Sequence, residues 1–373
     1  MTYFFPSLSI ILVPFYYSVH IINGVRILNI ETLFITEDQS VLEAMKKIDV
    51  TANQILLIAE NNILKAIITD GDIRRHLLRG GKLEEKVTQI ANYNPRFIFE
   101  KDKDNAQELM KQWSILSLPI VNETLEIQSI AFLKDYEIGR KLSVGAPVVI
   151  MAGGLGTRLY PYTKILPKPL IPIGEIPITE HIINRFMKYE CNEFHLIVNH
   201  KKNMIKAYFS EVEKDYKIEF HNEEIKLGTG GGLSLLKGKL ESTFFMTNCD
   251  ILIRANYKEI YDFHKQNGNM ITIVAAYKHL TIPYGIINMI NNGEIASMIE
   301  KPEYSFLTNT GFYVVEADVV NRLEDDKAIG FTEIIEQQKS LGEKIGVFPV
   351  SERCWLDMGQ LEELERMRKE LGV

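Results

Sequence analysis

Residues Val148-Val-Ile-Met151 form an unbroken apolar run that ends directly in glycines. A short apolar run bounded by glycine reads as a strand buried on both faces. Similar runs recur at His195–Asn199, Phe244–Thr247 and Ile271–Ala276. Between them, apolar residues return at three- and four-residue intervals over Ile178–Tyr189, Met204–Phe209, Gly231–Leu236 and Tyr257–Asn267. That spacing lines one face of a helix. Strands alternating with helices predict an α/β domain on a mostly parallel sheet, spanning residues 146–373.

The region 30–140 has a different rhythm. Ser40-Val-Leu-Glu-Ala-Met-Lys-Lys47 aligns with Asn105-Ala-Gln-Glu-Leu-Met-Lys-Gln112. Each predicts an amphipathic helix with a cap-like residue and an acidic residue three positions on. Apolar strands follow at Gln54–Ile58 and Leu118–Val121, then turns at Glu60–Asn62 and Asn122–Glu123, then strands at Ala66–Thr69 and Ser129–Phe132. One copy of helix–strand–turn–strand–helix cannot bury its own apolar face, so the two are expected to pack together. Lys134–Ala146, with Gly139 and Gly145 and ending at Pro147, reads as a linker.

Residues 1–29 are an apolar extension. Tyr3–Ile22 is long enough to span a bilayer. It carries Pro6, Pro14 and His20, however, and no basic segment precedes it. Membrane anchor, buried extra segment and upstream start codon remain open, with the anchor the least favoured.

Composition narrows the class. Of 373 residues, 46% are hydrophobic and 24% charged, as in a soluble globular protein. The net charge of −7 supplies no global field for nucleic acid, so phosphate must be held by local sites. The cysteines Cys191, Cys249 and Cys354 are odd in number and far apart, which fits a reducing, cytoplasmic setting and no zinc motif.

The candidate chemistry begins at Ala152-Gly-Gly-Leu-Gly-Thr-Arg-Leu159. Gly153, Gly154 and Gly156 allow backbone N–H groups to converge on an anion. Ala152 and Thr157 flank them, and Arg158 adds a permanent bidentate charge. No Gly-Lys-Ser/Thr follows, and Leu159 stands where a dinucleotide fingerprint needs its third glycine. Pro167 and Pro169 stiffen the backbone around Lys168, which suits a lysine that holds phosphate.

The full pattern from Gly153 through Pro161, Thr163 and Pro167-Lys-Pro169 resembles the opening motif of the sugar nucleotidyltransferases. The resemblance continues to residue 373 and implies a Rossmann-like mixed sheet. Glu223-Glu-Ile-Lys-Leu-Gly-Thr-Gly-Gly-Gly232 resembles the family's second glycine-rich loop, with Gly228 against the base and Glu223 or Glu224 available to a guanine. Phe244–Asp250 and Trp355-Leu-Asp-Met-Gly359 resemble the two segments that carry the metal-binding aspartates, here Asp250 and Asp357; Asn248 replaces the more usual glycine. Two carboxylates with phosphate oxygens and water suit magnesium. Pro283-Tyr-Gly285, Ile299-Glu-Lys-Pro302 and Asn309-Thr-Gly-Phe-Tyr313 match the family's sugar side, implying roles for Gly285, Glu300, Lys301 and Thr310 toward the sugar phosphate.

The region 30–140 resembles a tandem pair of cystathionine-β-synthase-type (CBS) repeats, most closely at Ala66–Arg75. The resemblance implies an adenine nucleotide held by Thr69 and Asp72; the alternative is that Asp70 and Asp72 only cap the following helix. The second copy has Leu133–Tyr136 in the equivalent place and lacks the threonine.

The combined expectation is a homo-oligomeric enzyme that joins a nucleoside triphosphate to a sugar 1-phosphate and releases pyrophosphate. Arg158, Lys168, Asp250 and Asp357 would carry the catalysis. The two-module arrangement resembles guanylyltransferases of bacterial surface-sugar pathways, of which legionaminic acid synthesis is one. GTP and a GDP-hexosamine or related product are therefore favoured over UTP, dTTP or CTP. The rival from another class is a non-catalytic, pyrophosphorylase-like regulatory protein.

Overall fold

The structure is a computed structural model that describes residues 20–22, 25–28, 30–51, 54–113, 115–132 and 143–371. The chain divides into two compact units, residues 1–73 with 82–140 and residues 74–81 with 141–373.

In the first unit, β1 (His20–Ile22) and β2 (Val25–Leu28) form an antiparallel ribbon. Helix α1 (Val41–Thr51) then leads into the antiparallel pair β3 (Ile55–Glu60) and β4 (Ile63–Thr69), followed by α2 (Asp70–Leu78), which is counted with the second unit from Arg74 on. Downstream, β5 (Ile98–Phe99) and α3 (Ala106–Trp113) precede a second antiparallel pair, β6 (Ser117–Val121) and β7 (Ile127–Phe132). Both pairs carry a register shift, at Ile58/Ala59 and at Ile120/Val121. Ser40 starts α1 with reciprocal bonds: its N–H donates to Glu43 Oε2 at 2.7 Å, and the Glu43 N–H donates to Ser40 Oγ at 3.2 Å.

Ile55 and Leu57 of the first pair share one buried cluster with Val121, Ile127 and Ile130 of the second. Strand β2 also pairs with β7, so the described part of the N-terminal extension adds two strands to this sheet. Most of Tyr3–Ile22, the helix expected after Phe132 and most of the linker lie outside the described residues. Among the described residues no helix is long and apolar enough to cross a membrane.

The second unit opens with β8 (Val148–Met151), the short helix α4 (Tyr162–Ile165), the small hairpin β9 (Pro172–Ile173) and β10 (Ile176–Pro177), and α5 (Ile178–Met187). Next come β11 (Glu193–Val198), α6 (Lys202–Glu211), β12 (Lys217–Asn222), α7 (Gly228–Gly231), β13 (Phe244–Asn248), β14 (Ile251–Ile253) and α8 (Tyr257–Asn267). Strands β15 (Ile271–Thr281), β16 (Ile286–Met289), β17 (Ile295–Ile299) and β18 (Glu303–Val315) follow. Helices α9 (Ala317–Asn321) and α10 (Phe331–Ser340), strands β19 (Ile345–Ser351) and β20 (Trp355–Asp357), and α11 (Leu361–Leu371) complete it.

Seven strands make one sheet in the order β12-β11-β8-β13-β18-β15-β19. Only β18 runs against its neighbours, so the sheet is mixed and mostly parallel. Every residue of β8 is buried, as expected for a strand covered on both faces. Val148 and Ile150 face one core with Phe186, Phe194, Phe245, Tyr257 and Phe312. Val149 and Met151 face the other with Phe244, Met246, Tyr313 and Phe331.

Two elements differ from the sequence pattern. Gly231–Leu236 is not one helix; α7 ends at Gly231 and a tighter turn continues to Leu236. The glycine run lets this backbone lie directly on another, with the Gly230 and Gly231 N–H groups both donating to Ile329 O at 3.0 and 3.1 Å. Strand β15 runs five residues past Ala276, because Tyr277–Thr281 keeps pairing with Glu303–Leu307. These extensions support the β16–β17 hairpin, an exposed flap that presents Ile287, Met289, Ile295 and Met298 to solvent.

Phe186 is fully buried, and its ring centroid lies 4.7–6.4 Å from those of Phe194, Phe245, Tyr257 and Phe312. Phe186→Ala is expected to cost about 3–5 kcal/mol, read as an earlier urea transition by far-UV circular dichroism. A loss below about 1 kcal/mol would show that this cluster does not hold the unit together.

Candidate active site

Strand β8 ends at Met151, and the chain turns through Gly153–Arg158 across the carboxyl edge of the sheet. A cleft of about 450 Å³ opens there, lined by Gly153, Gly154, Gly156, Thr157, Arg158 and Lys168 on one side. Glu223, Lys226, Gly228, Thr229, Asn248 and Asp250 line the other. Open α/β sheets place ligands at the carboxyl ends of their central strands. Residues from four separate stretches of sequence therefore converge where the topology calls for a ligand. Ala152 is not among them. It is buried, and its N–H donates to Ile197 O at 2.8 Å, which anchors the start of the loop.

The two aspartates meet through a two-stranded ribbon. Strands β14 and β20 pair antiparallel, with Ile251 opposite Asp357. The Met358 N–H donates to Asp250 O at 2.9 Å. Burial pushes the Asp357 carboxyl up, and the charge of Asp250 pushes it further; Lys168 and Arg158 pull it back. Two carboxylates that repel each other in a half-dry pocket are a donor set suited to a hard divalent cation. Lys168 forms an ion pair with Asp250, with about a tenth of either side chain exposed. Arg158 lines both this cleft and a neighbouring 140 Å³ pocket, whose walls include Lys278, Asp357, Gly359 and Arg366.

Glu223 stands apart electrostatically. It is 6% exposed, its Oε1 has no hydrogen-bond partner, and burial alone pushes its carboxyl up to about 7. Its backbone is pinned, since its N–H donates to Val198 O at 2.9 Å and its carbonyl accepts from Asn199 Nδ2 at 3.0 Å. The carboxylate lies between Gly153 and Gly232. Glu224, the alternative from the sequence, is exposed and pairs with Lys202 at 2.9 Å. Gly228 has φ of +78°, and a Cβ there would lie 2.7 Å from Ile329 O, so the second loop closes only with glycine at this point.

The sugar-side residues behave differently. Glu300 and Lys301 are exposed at the base of the flap. Glu300 Oε2 reaches within 2.9 Å of the position a Cβ on Gly285 would take, so these two are brought together. Thr310 is not brought into the cleft. It is 2% exposed, and its hydroxyl donates to Val274 O at 2.7 Å inside the bulge of β18. Its hydroxyl is thus engaged within the sheet. Thr69 and Asp72, in the first unit, satisfy each other: the Thr69 N–H and hydroxyl donate to Asp72 Oδ2 at 2.8 and 2.6 Å. Lys226 was not singled out by the sequence pattern, although it stands between Glu223 and Gly228 in the quoted loop. Cys249 also lines the cleft, but burial pushes its thiol up to about 12, so it offers no thiolate.

The nucleotidyl transferase family profile matches residues 147–372. The chain belongs to the nucleotidyl transferase family. Among curated relatives, the mannose-1-phosphate guanyltransferase of Aspergillus oryzae is 34% identical over 186 residues, 47% of this chain and 51% of that protein. The mannose-1-phosphate guanylyltransferase catalytic subunit beta of Drosophila melanogaster is 30% identical over 228 residues, 58% of this chain and 60% of that protein. The chain thus spans between half and three fifths of the length of these relatives. A crystal structure of HddC from Yersinia pseudotuberculosis aligns with 61% of this chain and 99% of its own, at a TM-score of 0.49 and 22% identity. The first unit lies outside the matched family region, which begins at Pro147 in the nucleotidyl transferase unit.

Glu223 gives the nucleotidyl transferase unit a pH signature. Its folded-state value of about 7 lies above the ordinary 4.5, so the folded protein holds the proton that the unfolded chain loses. Stability therefore falls as pH rises from 4.5 to 7. Thermal melts of Glu223→Gln across this range are expected to lack that decline. An identical slope in wild type and variant would show that the carboxyl is not held protonated.

Proposed function

We propose that this chain is a sugar-1-phosphate guanylyltransferase that makes a GDP-sugar and pyrophosphate from GTP and a hexose or hexosamine 1-phosphate. The observation that carries the reading is that Asp250, Lys168 and Arg158 line a glycine-rich cleft while Asp357 lies close enough to feel the charge of all three. A fold kept only as a scaffold has no use for two mutually repelling carboxylates beside two cations. Family membership and the mannose-1-phosphate guanyltransferase relatives support the same reaction class.

In this reading the backbone N–H groups of Gly153–Thr157 hold the triphosphate, with Arg158 against the leaving pyrophosphate. Lys168 and Lys301 hold the attacking sugar phosphate against the α-phosphorus, and Glu300 and Gly285 border the sugar. The nucleophile is already an anion, so no general base is needed and positioning does most of the catalysis. Magnesium bound by Asp250 and Asp357 would neutralise charge on the α-phosphate and on pyrophosphate. The Lys168–Asp250 ion pair then has a use. With a cation held by Asp250 and Asp357, the Lys168 ammonium would be free for phosphate. Glu223, buried with an unsatisfied oxygen, is the acceptor for the guanine N1–H and N2–H₂. UTP, dTTP and CTP have no such paired donors.

We read the region 30–140 as the tandem CBS pair, with Thr69 and Asp72 as its adenylate contacts. The matched register shifts of β3–β4 and β6–β7 and their shared core support two equivalent halves. The apolar flap favours a homo-oligomer.

Pyrophosphate release with GTP, UTP, dTTP and CTP against mannose, glucosamine and heptose 1-phosphates tests the activity. GTP is expected to lead, and Asp357→Asn to lower kcat/KM by about 10²–10³-fold. Folded protein that turns over no pair with magnesium present leaves the non-catalytic regulatory reading. Adenylate regulation has its own check. AMP or ATP should change the rate of wild type and not of Thr69→Ala, and equal kinetics with and without adenylate would reject it.

A further inference from the structure

Away from the cleft, strand β11 and the edge strand β12 carry a second group of metal-ligating side chains. His195 sits directly across from Glu219 in the parallel register, and His221 follows two positions along β12, which puts all three on one face. His195 Nδ1 lies 3.0 Å from His221 Nε2. Glu219 Oε2 is 4.0 Å from His195 Nδ1, and Glu219 Oε1 is 3.7 Å from His221 Nε2. One donor atom from each residue falls within 4.8 Å of the other two.

We propose that His195, His221 and Glu219 form a binding site for a zinc-class divalent cation, distinct from the oxygen-only site at Asp250 and Asp357. Zinc at about 2.0–2.1 Å from each of four tetrahedral ligands spaces them roughly 3.3 Å apart. The distances of 3.0, 3.7 and 4.0 Å bracket that value, so small side-chain rotations close the set. The fourth position is open to water.

A second observation points the same way. His195 is 2% exposed, and its Nε2 has no hydrogen-bond partner. The nearest carboxylate oxygen to that nitrogen is Glu193 Oε1, at 3.5 Å. A carboxylate behind one ring nitrogen fixes the tautomer that turns the other toward a metal. A shift of Glu193 from 3.5 Å to hydrogen-bond distance would place the proton on Nε2 and leave the Nδ1 lone pair facing His221.

Lys239 is the guard group. It pairs with Glu219 at 2.5 Å and stands 3.4 Å from His221 Nδ1, with 45% of its side chain exposed. A cation displaces this ammonium to solvent. The proton in the His195–His221 contact moves to His221 Nδ1, which Lys239 has vacated. Imidazole nitrogens suit zinc or cobalt and hold magnesium poorly, whereas an oxygen-only pair such as Asp250 and Asp357 accepts magnesium.

The test uses the full-length protein in saturating magnesium. Zinc binding is measured by isothermal titration calorimetry, and cobalt binding by the visible absorption of a tetrahedral nitrogen-containing site. The expected result is one zinc per chain and a cobalt band that zinc abolishes. His221→Gln and Glu219→Gln should each weaken binding by more than tenfold, and Glu193→Gln by about tenfold, with unchanged far-UV circular dichroism. Glu219 is exposed on the edge strand, so Glu219→Gln carries the test if His221→Gln does not fold. The site is overturned if wild type takes up no zinc in excess magnesium, or if Glu219→Gln binds it as tightly as wild type. Neither result touches the nucleotidyl transfer reading.

Discussion

Two like charges far apart in sequence approach each other in a low-dielectric pocket only if the backbone leaves them no alternative. The β14–β20 ribbon supplies that constraint. It is three residues long on each side, its register sets Ile251 opposite Asp357, and the Met358 N–H donates to Asp250 O, so the backbone ties Asp250 to the segment of the second carboxylate. The ribbon is itself held by burial, since Ile251, Leu252, Ile253 and Leu356 belong to the main core. Apolar packing thus holds an electrostatic arrangement that would be unfavourable by itself. Lys168 and Arg158 offset the repulsion.

The cleft carries a second stored imbalance at Glu223. A carboxylate whose own Oε1 finds no donor, set beside glycine loops, is unfavourable by itself. The cost is tolerated because its backbone is tied between β11 and β12 and because protonation relieves part of it. A ligand with paired N–H donors would relieve the rest. The aspartate pair and Glu223 follow one logic: at each, the packing of the surrounding sheet holds in place an electrostatic arrangement that is unfavourable by itself.

Much of this was legible in the sequence because the relevant signals are local. Val148–Met151 announces a doubly buried strand by its apolar run alone, and the glycines behind it announce the turn that lines the cleft. Helix Tyr257–Asn267 has the bounds its periodicity predicts, with Asn256 capping it and Gly268 closing it. What the sequence could not resolve depends on distance in the chain. Glu223 and Glu224 are adjacent and chemically identical; only the packing of Gly153 and Gly232 around the first distinguishes them. The resemblance of Asn309–Tyr313 implied a sugar-side role for Thr310, and nothing local says that its hydroxyl donates to Val274 O. The length of β15 was missed because residues 277–281 are stabilised by cross-strand partners rather than by burial.

The bulge at Thr310 explains a further oddity. Asn248 ends β13 where the resemblance leads one to expect glycine, and a side chain there needs room. Gly311 provides it: with φ of +80° and no side chain, it leaves the space in which the Asn248 amide sits, 2.5 Å from where a Cβ would be. The Gly311 N–H in turn donates to Asn309 Oδ1 at 3.0 Å, and Asn309 Nδ2 donates to the Tyr313 hydroxyl at 2.8 Å. The bulge therefore does two things at one point in the sheet. It accommodates the substituted residue beside Asp250, and it lets β18 and β15 continue past the core to carry the flap with Glu300 and Lys301. The cleft floor and the flap are thereby built on the same pair of strands, so a change in the bulge is felt at both.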